Sequence, residues 1–239
     1  MALPQSIDRL SELIKETSKK ISYAYTAHLN KKSLNEAVEI NKCAGQLGVC
    51  ENEFKKIIRV QCKAVRDARA EGFNESVQMQ IVTESAVGYL LVREAKFAVS
   101  TIRSFDSLEI ANDLLESSAL TIQGKRRSAM DSLSKLTKKR GSYEYIYSAD
   151  AYEEKLKRVQ GFIEELIRTG DIDRCISEEK RIQNEKKEDE AELRPMTGTP
   201  QDAYAPRQEV EDEEPFDYRD SHEAEEESSV GGLSSGSFF

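Results

Sequence analysis

Residues 75–122 read ESVQMQIVTESAVGYLLVREAKFAVSTIRSFDSLEIANDLLESSALTI, the longest stretch in which apolar residues recur at helical spacing. At 100° per residue, its first part places apolar and small side chains on one face at i, i+3, i+4 and i+7 intervals. This face consists of Val77, Ile81, Gly88, Leu91, Val92, Ala95, Ala98, Val99 and Ile102. Its small residues would allow a neighbouring helix to approach closely. Two interpretations are open: a core helix of its own fold, or a hairpin arm that also packs against copies of itself.

The segment 104–107 interrupts this pattern. Asp106 with Glu109 three residues later has the spacing of a capping box, so we expect a new helix to start there. Beyond it the apolar positions follow alternating steps of three and four, at Leu108, Ala111, Leu115, Ser118 and Ile122.

Composition favours an all-α fold. Hydrophobic residues make up 38% of the 239 residues, below the usual ~45–50%, and no proline lies between Pro4 and Pro195. The expected architecture is an antiparallel helical hairpin with additional packed helices and a disordered acidic C-terminal tail. We divide the chain into a basic helical body (1–170), a charged helical extension (171–194) and the tail (195–239).

Periodicity and capping signals predict the individual helices. Gly45 and Gly48 predict a break after the second helix, whereas Gly72 as the C′ residue and Asn74 as an N-cap predict the hairpin turn. The first helix is either packed on the body or a peripheral segment that docks on a membrane or a partner. The tyrosine-rich segment 143–147 is interpreted as a linker that packs on the helices. The predicted helices are 6–28, 34–47, 51–71, 75–104, 107–122, 128–139 and 150–168, followed by a charged continuation over 172–192.

The helix over 51–71 has the most basic face of the protein. Lys55, Arg59, Lys63 and Arg66 lie along it, and Lys56 and Arg69 flank them. Such a row is either an ordinary solvated face or a binding surface for an anionic membrane or a nucleic acid. No aromatic residues alternate with these cations, so nucleic acid is the less favoured partner.

Charge is distributed unevenly along the chain. Residues 1–140 carry a net charge of +6 and residues 141–239 carry −15. We expect the acidic tail to compete with any anionic partner of the body. Within it, Phe216 and Tyr218 form an aromatic pair among acids, either a docking motif for a protein partner or part of a tail that no partner reads.

No motif of an enzyme is found, including phosphate-binding glycine loops and nucleophile elbows. We therefore expect no catalytic residues and no cofactor. Four scattered cysteines, Cys43, Cys50, Cys62 and Cys175, predict reduced thiols that are buried or semi-buried. With only two histidines, both distant from them in sequence, we expect no metal site. The N-terminus has no signal-peptide pattern, and no apolar run approaches the ~20 residues of a membrane span. We expect a cytoplasmic protein that can also lie peripherally on membranes.

The stretch KAVRDARAEGFNESVQMQIVTESAVGYLLVREAKFAVSTIRS (63–104) resembles the hairpin turn and second helix of the ESCRT-III proteins, the charged multivesicular body proteins. The resemblance extends over residues 34–125. It implies a cytosolic monomer, closed by its acidic tail, that opens, polymerises on membranes and remodels them. Lys55, Arg59, Lys63 and Arg66 would then belong to the family's basic first helix. The alternative function is a helical adaptor or scaffold that recruits partners through its acidic tail and has no membrane role.

Overall fold

The computed structural model describes residues 3–139 and 151–192. These residues contain no strand and form seven helices, so the all-α prediction is confirmed for them. The chain divides into two units, Met1–Leu193 and Arg194–Phe239, and all seven of these helices belong to the first. The predicted linker at 143–147 and the tail 195–239 lie outside the described residues. The helices are α1 (Leu3–Leu29), α2 (Glu36–Glu71), α3 (Ser76–Ile102), α4 (Asp106–Ile122), α5 (Arg126–Lys139), α6 (Ala151–Thr169) and α7 (Ile172–Glu192).

Helix α3 is the centre of the fold. It packs against α2, α4 and α6, and residues 85–92 are buried on every side. The single apolar face predicted for this helix is therefore too narrow. Val77 on the predicted face is 64% exposed, whereas Val82, off that face, is buried. A helix enclosed by three neighbours buries most of its circumference, and only its first turns reach solvent.

Three helices, α2, α3 and α4, meet at Gly88. Ser118 Oγ on α4 donates a hydrogen bond to the carbonyl oxygen of Gly88 over 3.1 Å. A Cβ at position 88 would lie 2.7 Å from Cε1 of Phe54 on α2. The prediction that small residues on α3 permit close helix approach is confirmed at this position.

Helix α2 is continuous, and the predicted break between 47 and 51 is wrong. Asn35 caps its start, since Oδ1 of Asn35 accepts a hydrogen bond from the Val38 N–H. Gly45 and Gly48 each weaken a helix by about 1 kcal/mol relative to alanine. The burial of apolar side chains outweighs this cost, because buried residues recur at unchanged helical spacing before, between and after the two glycines. Its members are Ile40, Cys43, Leu47, Cys50, Phe54, Ile57, Ile58, Cys62 and Val65.

The turn between α2 and α3 forms as predicted at its first residue. Gly72 has φ +72° and donates its N–H to the carbonyls of Ala68 and Arg69. Residue pairs across the two helices run in opposite directions, Arg69 with Glu75 and Glu51 with Lys96, so the helices are antiparallel. Asn74 is not the N-cap. That position belongs to Glu75, while Asn74 Oδ1 accepts from the N–H of Ser76.

The break between α3 and α4 lies where it was predicted, but the capping box does not form. Asp106 is the first helical residue and Phe105 occupies the N-cap position without a side-chain cap. The hydroxyl and backbone N–H of Ser107 both donate to the carbonyl of Ser104. The carboxylate of Glu109 accepts a hydrogen bond from Tyr25 OH on α1.

Helix α1 packs on α2 and α4, which decides for the packed alternative over a peripheral segment. Its buried residues recur at helical spacing: Leu10, Ile14, Thr17, Ile21, Ala24 and Ala27. Helix α6 covers α2 and α3, and α7 follows after a turn at Gly170 (φ +68°). At the start of α7, Ile172, Cys175 and Ile176 are buried. Most residues from Ser177 to Glu188 are exposed.

Candidate functional site on helix α2

The six predicted basic residues all lie on the second half of α2, where the start of α7 and the end of α6 pack beside it. Lys55 is half-buried and the other five are exposed. Three of the six, Lys55, Arg66 and Arg69, hold partners from α6 or α7. The structure therefore brings this row together and places much of it at an internal interface.

Lys55 contacts both α7 and α3. Its ammonium lies 2.7 Å from Asp173 Oδ2 and 5.7 Å from the centre of the Tyr89 ring. Tyr89 OH donates a hydrogen bond to the other carboxylate oxygen of Asp173. Burial raises the pKa of Tyr89, and the carboxylate of Asp173 raises it further, so the phenol stays protonated. Burial acts to raise the pKa of Asp173 as well, but the hydrogen bonds from Lys55 and Tyr89 outweigh it and the pKa is lowered.

Arg66 contacts the C-terminal end of α6. Its Nη1 donates hydrogen bonds to the carbonyl oxygens of Ile167 and Arg168. The last carbonyls of a helix have no partner within the helix and carry partial negative charge. The guanidinium therefore binds the negative end of α6.

Arg69 forms a two-pronged pair with α6. Nη1 and Nη2 donate to Glu164 Oε2 and Oε1 over 2.8 and 3.0 Å, and Nε donates to Glu75. The hydrogen bond from Arg69 lowers the pKa of Glu164. This pair is solvent-exposed, so water and salt screen it and its contribution to stability is small.

The remaining three cations face solvent. Lys56 is paired within the helix with Glu53 at 2.6 Å. The backbone of Arg59 lies under the α6–α7 turn, because a Cβ on Gly170 would be 3.8 Å from Arg59 Cα. Within residues 3–139 and 151–192, Arg59 and Lys63 form no ion pair. They are the part of the row that is free to meet an anion in this conformation.

The acidic partners of the row could not be identified from the sequence. Glu164 and Glu165 look like solvated surface acids in the sequence, and Asp173 follows a helix break at Gly170. Glu164 in fact binds Arg69, whereas Glu165 pairs with Arg168 of the same helix at 2.6 Å. The sequence offered one signal, the opposite charges of two helical segments about a hundred residues apart. That signal does not predict which acidic residue pairs with which basic residue.

The α2–α3 turn carries two exposed apolar side chains. Phe73 and Val77, four positions apart, are 68% and 64% exposed. Arg69 and Glu75, which bracket Phe73 in the chain, form a salt bridge with each other. At 68% exposure the ring of Phe73 takes no part in the core.

No metal-ligand set is present in the part of the chain that the structure describes, where no group of three or more His, Cys, Asp or Glu side chains could hold an ion. Among the same residues no helix combines the length and the apolar character needed to cross a membrane. The four cysteines are free and buried, as predicted. Phe216 and Tyr218, the predicted partner motif, lie outside the described residues.

Comparison with known proteins identifies no relative of this chain. No protein-family model matches it, and neither does any curated protein or any solved structure.

Proposed function

We propose that this protein is a helical adaptor that binds other proteins and has no catalytic activity. The observation that supports this proposal best is the occupied state of the basic row on α2. Lys55, Arg66 and Arg69 already hold acidic or carbonyl partners from α6 and α7. A basic row of which half already binds groups of the same fold is better suited to a protein with protein partners than to one that binds an anionic surface.

The small electrostatic free energy available to the row favours the same conclusion. A basic residue near an anionic membrane contributes about 1 kcal/mol. Arg59 and Lys63, the two cations of the row that pair with no residue described by the structure, would together contribute about 2 kcal/mol. Even a 1 mM complex requires about 4 kcal/mol. The α2 row therefore does not support stable membrane binding while α6 and α7 are in place.

The exposed residues of the α2–α3 turn are the best candidate for partner contact on the folded body. Phe73 and Val77 together offer an apolar contact, and aromatic side chains are enriched among the residues that dominate protein interfaces. The acidic tail, with Phe216 and Tyr218, is a second candidate binding region for protein partners, and this expectation rests on the sequence.

The second candidate function is a self-associating, membrane-remodelling subunit of ESCRT-III type, regulated by its acidic tail. The placement of Phe73 beside a helix rich in cations favours it, because apolar and basic side chains together are typical of proteins that dock at membrane interfaces. This function requires α6 and α7 to leave the basic row. On this candidate, deletion of residues 195–239 would increase both vesicle binding and self-assembly.

Photo-crosslinking separates the two functions. A benzoylphenylalanine in place of Phe73 is compared in cells with the same residue in place of Phe97, which is also exposed on α3. The adaptor proposal expects discrete protein adducts that depend on position 73. The purified full chain is expected not to sediment with anionic vesicles at low salt.

Vesicle binding by the full chain or by the chain lacking residues 195–239, without protein adducts at position 73, would overturn the adaptor proposal in favour of the membrane subunit. Analytical ultracentrifugation of both chains measures the self-association that the second candidate requires.

A further inference from the structure

A cavity lies between the start of α1 and the middle of α2, away from the basic row's contacts with α6 and α7. Its volume is about 220 Å³, and the residues that define its chemistry are Ile7, Arg9, Ile57, Val60 and Gln61. Pockets for small-molecule ligands and cofactors span roughly 300–1,000 Å³. This cavity is smaller, and its size suits a single large side chain.

Gln61 gives the cavity an unused hydrogen-bonding group. The residue is 1% exposed, and none of the residues that the structure describes forms a hydrogen bond with its Oε1. A buried acceptor without a partner is destabilising by about 1–3 kcal/mol, and such atoms are rare in folded proteins. A ligand that donates a hydrogen bond to Oε1 would relieve this cost.

The walls and rim define the rest of the ligand. Ile7 and Ile57 supply apolar walls, and Val60, 57% exposed, lies at the opening. Lys56 at the rim is neutralised by Glu53. Arg9 is exposed and forms no ion pair with any residue that the structure describes, so the rim presents one uncompensated positive charge.

We infer that this cavity binds a protein partner through a large apolar side chain that is followed by an acidic residue. The apolar side chain fills the space between Ile7 and Ile57. The partner's backbone N–H donates to Gln61 Oε1, and its carboxylate pairs with Arg9. This inference rests on the proposed adaptor function and specifies the chemistry of the segment that the adaptor recognises.

The test uses the full chain with ¹³C-labelled isoleucine methyl groups and two capped dipeptides, N-acetyl-leucyl-glutamate amide and N-acetyl-leucyl-lysine amide. The methyl signals of Ile7 and Ile57 report on the cavity, and Ile110, buried in α4, is the internal control. We expect the glutamate probe to shift the first two signals with a Kd on the order of 1 mM, about −4 kcal/mol. The lysine probe should bind several-fold more weakly.

Three variants test the named roles. Arg9→Glu should reverse the order of the two probes, because the rim charge changes sign. Val60→Trp should block the opening, whereas Val49→Trp is the matched control, since Val49 is 46% exposed on the same helix and does not line the cavity. Gln61→Met keeps the side-chain length without the acceptor and should weaken binding several-fold while leaving the fold intact.

Absence of shifts at Ile7 and Ile57, or equal affinity for the two probes, would overturn the inference. So would unchanged binding by the Val60→Trp variant. If the dipeptides fail while adducts at position 73 persist, the adaptor function stands and only this binding site is lost. If the dipeptides bind but the adducts are absent and vesicles sediment the chain, the proposed function fails while the site stands.

Discussion

Lys155 Nζ lies 2.7 Å from Glu94 Oε1, and the lysine side chain is only 8% exposed. This ion pair joins α6 to the central helix α3. Burial raises the pKa of Glu94, and the charge of Lys155 opposes that rise. The cation of Lys155 therefore favours the charged form of the Glu94 carboxylate. The pair is one contact that docks α6 on α3, from where α6 reaches the basic row of α2.

Removal of one member of this pair should be more damaging than removal of both. Lys155→Met leaves the Glu94 carboxylate, whose side chain is 36% exposed, without this cation. We expect the free energy of unfolding to fall by about 1–2 kcal/mol, less than for a fully buried pair because solvent screens the remaining charge. The double variant Lys155→Met with Glu94→Met should recover most of that loss, since apolar side chains of similar size can replace a buried ion pair. Urea denaturation at pH 7 measures both. Equal stability of Lys155→Met and the natural chain would show that the pair does not fix α6.

The same substitution at two glycines should have opposite effects. Gly88→Ala forces a methyl group to within 2.7 Å of Phe54 and should lower the free energy of unfolding by about 1–3 kcal/mol. Gly45→Ala adds a methyl group with no atom within 4 Å in a helix interior, so it should raise stability by up to about 1 kcal/mol. Thermal denaturation of the two single variants checks both predictions. A stabilising Gly88→Ala would mean that α2, α3 and α4 do not meet at this residue.

The contacts of Asp173 predict a pH-dependent contribution to stability. Its folded-state pKa lies below the ordinary value, and an unfolded aspartate titrates near ~3.9. The contribution is therefore complete above the unfolded pKa and disappears as the pH falls through the lower, folded pKa. The side chain is 47% exposed, so its size is no more than about 1 kcal/mol.

Comparison of Asp173→Asn with the natural chain isolates this contribution, because Glu164 and Glu165, whose pKa values are also lowered, titrate in both proteins. Urea denaturation from neutral pH downward should show Asp173→Asn to be less stable at pH 7 and equal in stability in strong acid. A difference that grows as the pH falls has the wrong sign and would refute the assignment.

The four thiols should be inert in the folded protein. Burial raises the pKa of Cys43 and of Cys62 to about 11, so almost no thiolate is present at pH 8, and only the thiolate reacts with disulfide reagents. We expect no fast thiol in the native full chain and four after denaturation in guanidinium chloride. If one thiol per chain reacts fast in the native protein, the helix that carries it opens in solution. Cys175 would be the first residue to examine, because it lies at the start of α7, the helix whose later residues are exposed.

Much of the helical pattern could be predicted from local signals. The apolar spacing of α4, the left-handed Gly72 and the space left by Gly88 each depend on a few neighbouring residues, and they lie where the sequence indicated. The helix break predicted at Gly45 and Gly48 does not occur, because the loss of helix propensity at two glycines is a small free energy. The core-facing row of α2 buries enough apolar surface against α1 and α3 to exceed it.

The state of the candidate site depends on contacts that no local pattern encodes. The row from Lys55 to Arg69 was visible as a basic face, but its partners Glu164 and Asp173 come from helices about a hundred residues later. Which acids reach which bases is decided by how α6 docks on α3, through the Lys155–Glu94 pair and the apolar face of α6. Periodicity reports one burial direction of one helix at a time. Periodicity therefore identifies a cationic face on α2. Whether that face contacts solvent or the end of α6 is decided by how the helices pack.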